Sequence, residues 1–363
     1  MNIKKAIQQL ENADSQHLLN RVDLGSFFNT EWKFENFGSP NQIITLGNGF
    51  KLSEHAFNQL WKRIAYDVKV QSSGHLQNRR NASNYFWQFP GALETHMSAH
   101  VLEQAEARSK SKKRDDNDIF LNIHDNIITA IHSTNYRSFD NLTLLKELDA
   151  QIDNGLVNVV EVNVSLKNYN DEMRVQVLTN KYNHEYTIYG SGVWILNSQN
   201  GVYSFTEVPY IKSTVCDNSI VGMFGKTIRH VADVQERAKS AIQLIPEMSQ
   251  LATNTYLNYL NTVNTRIIDM LDVVTHLKRI YQIPKPVALK MIEHGFYSER
   301  DDIEDTLFNL ISGLTYIANQ IHDPNKEMRL LKLAGRLTEL HDAGVIDSSI
   351  ILEYCENQKF GTD

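Results

Sequence analysis

Cysteine and long apolar runs are both scarce in this chain. The two cysteines, Cys216 and Cys355, lie far apart in the sequence, which excludes a disulfide framework and is typical of a protein that folds in a reducing compartment. No apolar run approaches the ~20 residues that a membrane-spanning helix needs. The first residues include two lysines with no apolar segment behind them. We therefore expect no secretory signal and a cytoplasmic location.

The common catalytic motifs are missing as well. The string Gly222-Met-Phe-Gly-Lys-Thr ends like a phosphate-binding loop, but Ile220 stands where that loop needs its first glycine. The sequence contains neither a His-Glu-x-x-His zinc motif nor a Gly-x-Ser-x-Gly nucleophile elbow. We predict no catalytic residue, no metal, no cofactor and no enzymatic activity. His96, His100 and Glu103 leave open the alternative of an enzyme with an unrecognised site.

What the chain does have is the composition of an ordinary globular protein. Its 363 residues are 42% hydrophobic and 22% charged, which excludes a disordered chain or a coiled-coil rod. Lysine and arginine number 36 against 43 acidic residues, for a net charge of -7. The length is sufficient for two domains with sizeable cores.

Hydrophobic periodicity divides the chain into three parts. Residues 1–34 begin with apolar positions at helical spacing and predict a short helix followed by an irregular arm. Residues 35–225 alternate with period two over several segments, which predicts antiparallel strands with one wet face. Residues 226–363 have helical periodicity. The predicted fold class is α+β, an antiparallel β-sheet core with flanking helices over about 35–225, followed by an all-helical C-terminal region.

Local signals refine this division. His124-Asp125-Asn126 separates two apolar runs and predicts a hairpin turn. Ser53 is a good N-cap for one helix, and Ser138 or Asp140 is suited to cap the helix that follows the hairpin. We expect a helix over Lys226 to Ile245, which Pro246 breaks or restarts, and a single long helix over Leu251 to Tyr281.

A basic and aromatic segment stands out in this acidic protein. The stretch between Ala56 and Leu93 contains five basic residues and a single acidic one, Asp67. A second basic cluster follows downstream. Lysine and arginine neutralise phosphates, and aromatic rings stack on bases of any sequence. Alternatively, the aromatic residues fill the core and the charges form the wet face of a helix. The candidate nucleic-acid-binding residues here are Lys62, Arg63, Lys69, Arg79, Arg80, Tyr85, Trp87, Lys110, Lys112, Lys113 and Arg114.

Six short motifs, spread over about residues 50–320, carry a family resemblance. They are Leu52-Ser-x-x-Ala-x-x-Gln-Leu, Ala130-x-x-Ser-x-x-Tyr-x-x-x-Asp-Asn, Asn197-Ser-x-x-Gly, Cys216-x-Asn, Arg229-His230 and Thr306-Leu-Phe-Asn-Leu-Ile-Ser. In this order they resemble a family borne by phages, prophages and plasmids, known mainly as a domain of unknown function, with a proposed relationship to single-strand annealing proteins. Ser219 stands where that family usually has glycine, and the helical region beyond residue 325 lies outside the resemblance.

The resemblance implies a role in DNA metabolism. We therefore expect a phage or mobile-element protein in the cytoplasm of a host bacterium that binds single-stranded DNA and promotes annealing or recombination without nucleotide hydrolysis. Tyr136 and Arg137, at a strand-to-helix junction, join the candidate binding residues. The expected partners are single-stranded DNA, further copies of the chain and a host replication or recombination protein. The alternative is an interaction protein that modulates a host factor.

Overall fold

A computed structural model describes residues 1–357 apart from 15–16, 24–31, 36–42, 47–48, 65–117, 134, 185–186, 214–218, 222–224, 232, 282, 284, 287, 289–304, 322–323 and 342. Over these residues the chain has mixed α+β structure with antiparallel sheets and a helical C-terminal region, as predicted. No helix in the described part is both long enough and apolar enough to cross a membrane.

The first sheet has six strands among the described residues, in the order β1-β5-β6-β4-β3-β2. Its pairs are antiparallel, except that β4 runs parallel to β6. The strands are β1 (His17–Asp23), β2 (Trp32–Glu35), β3 (Ile43–Leu46), β4 (Lys51–Leu52), β5 (Asp118–His124) and β6 (Ile127–Ser133).

Turn chemistry explains the predicted hairpin of this sheet. β5 and β6 are joined by Asp125 and Asn126, both with positive φ angles of 47° and 64°, which is the backbone of the two-residue turn that matches strand twist. The prediction of an irregular arm after the first helix is wrong, because β1 pairs with β5 from His17 opposite His124 to Asp23 opposite Asp118. The partner strand lies about a hundred residues away in the chain, and local periodicity does not register such pairing.

The second sheet is antiparallel, with the order β11-β10-β9-β8-β7 and β12 also paired to β10. The segment Lys226–Ile228 is therefore a strand, and the helix predicted from Lys226 starts only at Val234. The strands are β7 (Glu161–Lys167), β8 (Glu172–His184), β9 (Thr187–Ser198), β10 (Phe205–Ser213), β11 (Ser219–Val221) and β12 (Lys226–Ile228).

Helices flank the sheets and make up most of the C-terminal region. A short parallel pair, β13 (Arg266–Ile267) and β14 (Val345–Ile346), lies among them. The helices are α1 (Ile3–Asp14), α2 (Glu54–Ile64), α3 (Asn141–Asp153), α4 (Val234–Ile242), α5 (Ile245–Asn261), α6 (Met270–Ile280), α7 (Leu307–Gln320), α8 (Pro324–Leu337) and α9 (Ser348–Asn357).

The single long helix predicted over Leu251 to Tyr281 is wrong. The chain leaves α5 through a 3-10 turn at Thr262–Asn264, enters β13, and resumes as α6 after Asp269, whose φ is 58°. The Thr265 hydroxyl donates to the carbonyl of His341 at 2.7 Å and holds the chain in this course. β-branched residues are dense in this stretch, and they lower helix propensity although their apolar spacing fits a helix.

Both faces of the second sheet are covered, so the prediction of one wet face is wrong for its centre. Val175 and Ile195 face a core shared with α1, α3 and α4. Trp194 and Tyr210 face a second core shared with the C-terminal helices. A partly wet face remains toward β7, where every second residue is polar, and on the adjoining part of β8, where Arg174 and Gln176 are half-buried.

The predicted boundaries 1–34, 35–225 and 226–363 stay a prediction. Helices on one side of each boundary pack against elements on the other side. α1 contacts α3 and β7, while α5 contacts β9 and β10.

Candidate nucleic-acid interface

The structure describes four of the predicted binding residues. Lys62 and Arg63 lie in the last turn of α2, and Tyr136 and Arg137 follow β6. The remaining candidates lie outside the described residues, namely Lys69, Arg79, Arg80, Tyr85, Trp87, Lys110, Lys112, Lys113 and Arg114.

Helix α2 runs alongside β6 in the same direction. Its N-cap residue Ser53 accepts the Ala56 amide at 3.1 Å, as its sequence position predicts, and donates its own amide to Ile128 at 3.1 Å. Two turns later Gln59 Oε1 accepts the Ile131 amide at 2.6 Å. Helix and strand therefore advance together along the sheet, and the last turn of α2 lies at the end of β6.

The segment 65–117 leaves and re-enters the described structure at that same end. It starts after Ile64, the last residue of α2, and stops before Asp118, the first residue of β5. The start of β5 lies beside the end of β6, because Ile119 pairs with Ser133. The described residues that flank the basic and aromatic segment, Ile64 and Asp118, therefore lie near the point where Tyr136 and Arg137 follow β6.

Arg137 belongs to a small paired junction. Tyr136 forms an antiparallel bridge with Val231, and the Arg137 amide donates to the His230 carbonyl at 2.9 Å. The Arg137 guanidinium donates through Nη1 to the Tyr136 carbonyl at 2.9 Å. Arg137 and Arg229 are both exposed at this junction. The junction consequently presents two cations on a backbone that is fixed by pairing.

Tyr136 is engaged inside the protein. Its hydroxyl donates to the carbonyls of Ser198 and Gln199 at 3.1 and 3.0 Å. Its ring stacks on His132 with centroids 3.7 Å apart and on His230 at 5.3 Å. Burial, followed by the charge of Asp171, raises the pKa of the Tyr136 phenol, so the phenol stays protonated and remains a donor.

His230 supplies no charge to this surface at neutral pH. It is 6% exposed, and its Nδ1 lies 3.2 Å from the Arg137 carbonyl, to which a ring N–H donates. Burial lowers the pKa of His230 to about 4, against the opposing effect of that hydrogen bond. The positive charge of the junction therefore comes from its arginines.

The motif residues of the sequence analysis meet beside this junction. Gln59 Nε2 donates to the Asn200 carbonyl at 3.0 Å, and Asn197 Nδ2 donates to the Phe139 carbonyl at 2.7 Å. Gly201 has a φ of 74°, and a Cβ there would lie 3.1 Å from His132. The first three of the six motifs are thus joined by direct contacts, which indicates a shared structural task. The fourth, Cys216-x-Asn218, lies outside the described residues.

Sequence reasoning missed a buried carboxylate next to this region. Asp171, 1% exposed, accepts Asn122 Nδ2 at 2.9 Å, His124 Nε2 at 3.0 Å and the Thr129 hydroxyl at 2.8 Å. The three donors lie on β5 and β6, and the acceptor precedes β8, so the cluster ties the first sheet to the second. An isolated aspartate in a turn between strands carries no sequence signal for this role.

The described residues hold no group of three or more His, Cys, Asp or Glu side chains arranged to bind a metal ion. His96, His100 and Glu103 lie outside them. Comparison with protein-family models, with curated proteins and with solved structures gives no match.

Proposed function

We propose that this protein binds single-stranded DNA and promotes the annealing of complementary strands without hydrolysing a nucleotide. One observation carries the proposal. The last turn of α2, the Tyr136–Arg137 junction and both ends of segment 65–117 lie at the same end of the first sheet. The described residues on both sides of segment 65–117, Ile64 and Asp118, therefore lie beside Tyr136 and Arg137, and this supports a shared binding surface.

The chemistry of that place suits an extended nucleic-acid strand. Exposed guanidinium groups at Arg137 and Arg229 neutralise phosphates, and the aromatic residues Tyr85 and Trp87 supply rings on which bases stack. We assign Tyr136 to holding the junction, because its ring and hydroxyl are already used within the protein. Annealing needs strands held with accessible bases and requires no catalytic group.

We propose further that the protein acts in the DNA metabolism of a phage or mobile element, in the cytoplasm of a bacterial host, as a homo-oligomer. One observation supports association. The apolar residues Leu271 on α6 and Val345 on β14 are 70% and 58% exposed, and Ile268, beside β14, is 51% exposed. The same surface favours the second candidate function, binding to a host replication or recombination protein.

A fluorescence-anisotropy titration tests DNA binding. The probe is a labelled ~40-nucleotide single strand, compared with its duplex at low and near-physiological salt. We expect a salt-dependent preference for the single strand. The double variant Arg137→Glu/Arg229→Glu should weaken binding for every sequence and lower the slope of log affinity against log salt by about two. Arg79→Glu/Arg80→Glu should act in the same way.

The matched control is Arg279→Glu/Arg329→Glu, which reverses two exposed arginines in the C-terminal helices. It changes the net charge equally and should leave the affinity near that of the unaltered protein. An equal loss of affinity in this control and in Arg137→Glu/Arg229→Glu would show that only the overall charge of the protein matters. Absence of single-strand binding at low salt would end the proposal and leave the second candidate.

A further inference from the structure

The short parallel pair of β13 and β14 has one buried and one exposed face. Arg266 is paired with Val345, and Ile267 with Ile346. Ile267 and Ile346 are 5% and 1% exposed and belong to the core of the C-terminal helices. Because side chains alternate between the two faces of a strand, the residues on either side of these isoleucines point the opposite way, toward solvent.

Four exposed side chains form the outer face of this pair. Arg266 and Val345 lie side by side at the start of the two strands. The Ile268 amide donates to the Ile346 carbonyl at 2.9 Å, which continues the register and places Ile268 beside Asp347 at the other end. The two apolar residues, Val345 and Ile268, therefore lie on one diagonal of the face. The two charged residues lie on the other diagonal.

The apolar part of this face is well exposed. Val345 and Ile268 are 58% and 51% exposed. Beyond the end of the strands, α6 and α9 begin side by side and contact each other. Their first turns add Leu271, 70% exposed, and Ile350, 38% exposed. Exposed apolar residues that cluster in this way, with charged residues at the margin, mark a protein–protein contact.

Asp347 contributes a fixed negative charge to the face. Its Oδ1 accepts the amides of Ser349 and Ile350 at 2.9 and 3.2 Å at the start of α9. The hydrogen bond from the Ser349 hydroxyl, followed by that from the Ile350 amide, lowers the pKa of Asp347. The carboxylate is therefore ionised at neutral pH. Oδ2 takes part in none of these bonds, and the guanidinium of an arginine such as Arg266 matches a carboxylate in geometry and charge.

The arrangement of these four side chains is complementary to itself. A two-fold axis in the plane of contact, along the Val345–Ile268 diagonal, places each of these two residues over its own copy. The same rotation places Arg266 of each copy over Asp347 of the other. Axes along or across the strands would place charged residues over apolar ones, and the other diagonal would place like charges over each other. One isologous arrangement thus satisfies all four positions.

We propose that two copies of this protein associate through the outer face of β13 and β14 about this two-fold axis. The inference deepens the homo-oligomeric state proposed above and rests on it, and it is independent of DNA binding. The contact is small and includes two symmetry-related ion pairs. We therefore expect a reversible dimer that weakens as the salt concentration rises.

The test uses charge reversal and analytical ultracentrifugation without DNA. Arg266→Glu alone places acid over acid at both ion pairs, and Asp347→Lys alone places cation over cation. Each variant by itself should have a dimer dissociation constant raised by at least about tenfold. An equimolar mixture of the two variants should recover dimers, because in the mixed dimer an acidic group lies over a basic one at both positions. Recovery would also show that both variants fold.

A cross-linking measurement leaves Asp347 and its cap on α9 intact. Val345 lies on the axis, so the two thiols of a Val345→Cys dimer come within reach of each other. We expect a disulfide-linked dimer under mild oxidation. Leu156→Cys is the matched control, because Leu156 is apolar, 64% exposed and follows α3 on the opposite side of the second sheet. It should stay unlinked. Cys216 and Cys355 are present in both variants.

The outcomes separate this inference from the proposed oligomeric state. A monomer up to about 100 μM would end both and leave the surface to a host protein. A dimer that Arg266→Glu and Asp347→Lys leave unchanged would keep the homo-oligomer and overturn this face. The two-fold arrangement is also overturned if neither the mixture nor Val345→Cys gives a dimer, or if Leu156→Cys cross-links equally.

Discussion

At the scale of single residues, Glu207 is an ionisable side chain placed in the interior of the second sheet. It lies fully buried on β10, and neither carboxyl oxygen has a hydrogen-bond partner among the described residues. Burial raises the pKa of Glu207 to about 8, with Lys226 opposing the shift from the paired position on β12. The group is therefore protonated in the folded protein at neutral pH, because ionisation there would leave a charge without solvent.

Glu207→Gln should stabilise the protein in a pH-dependent way. The unfolded chain releases this proton near pH 4.5 and the folded chain retains it up to about pH 8. The stability that the proton contributes is complete below the first value and is lost as the pH rises through the second. Glutamine does not titrate, so the advantage of the variant should grow across this window, to the order of 5 kcal/mol. Urea unfolding at about pH 5 and about pH 9 measures it.

Glu236→Gln is the matched control for this titration, since Glu236 is exposed on the neighbouring helix α4. Its unfolding free energy should follow that of the unaltered protein at every pH. Parallel pH profiles for Glu207→Gln and the unaltered protein would contradict the assignment.

At the scale of elements, the starts of α3 and α4 differ in whether the residue before the helix caps it with its side chain. Asp140, one of the two predicted caps, accepts the Thr143 amide at 2.6 Å and the Thr143 hydroxyl at 2.8 Å at the start of α3. Asp233 stands at the same position before α4 and makes no capping hydrogen bond with its side chain. The two helix starts therefore have the same residue type at the cap and differ in whether its side chain forms hydrogen bonds.

Asp140→Ala should lower the unfolding free energy by about 1 kcal/mol, because two groups in the first turn of α3 lose their acceptor. Asp233→Ala should cost only a few tenths of a kcal/mol, from the loss of a negative charge near the helix N-terminus. Chemical denaturation of both variants measures the difference. Equal losses would mean that the hydrogen bonds of Asp140 contribute nothing beyond its charge.

At the scale of the whole molecule, the buried carboxylate of Asp171 joins the two sheets. Its partners Asn122, His124 and Thr129 all belong to the β5–β6 hairpin. Asn141, at the start of α3, donates to the Asp171 carbonyl at 3.2 Å and so adds a second element to the contact. The connection between the sheets is polar at this point, and it depends on directional hydrogen bonds rather than on buried area.

Asp171→Ala should destabilise the protein by about 3 kcal/mol, since three buried donors lose one shared acceptor. Hydrogen exchange should then speed up in β5 and β6 more than in β9, because the hairpin loses its tie to the second sheet. Asp153→Ala, at the exposed end of α3, is the control and should change neither quantity. If hydrogen exchange accelerated equally in both sheets, the hydrogen bonds of Asp171 would not be a local connection between the β5–β6 hairpin and the second sheet.

Parts of the candidate interface could be predicted and parts could not. The helix cap at Ser53 and the turn at Asp125–Asn126 follow from residue type at short range. The contact between Gln59 and Asn200 could not be predicted, since these residues are 141 positions apart and their types fit many surroundings. The binding role of the basic residues in segment 65–117 stays a prediction.

The sequence by itself determined the α+β class, the β5–β6 hairpin and the break between α4 and α5 shortly before Pro246. Each follows from periodicity, turn chemistry or the conformational limits of proline within a few residues. Only the tertiary structure decided that β1 pairs with β5 and that both faces of the central strands are buried. These outcomes depend on which distant surfaces meet, and the free energy of that meeting is not encoded in any local stretch of chain.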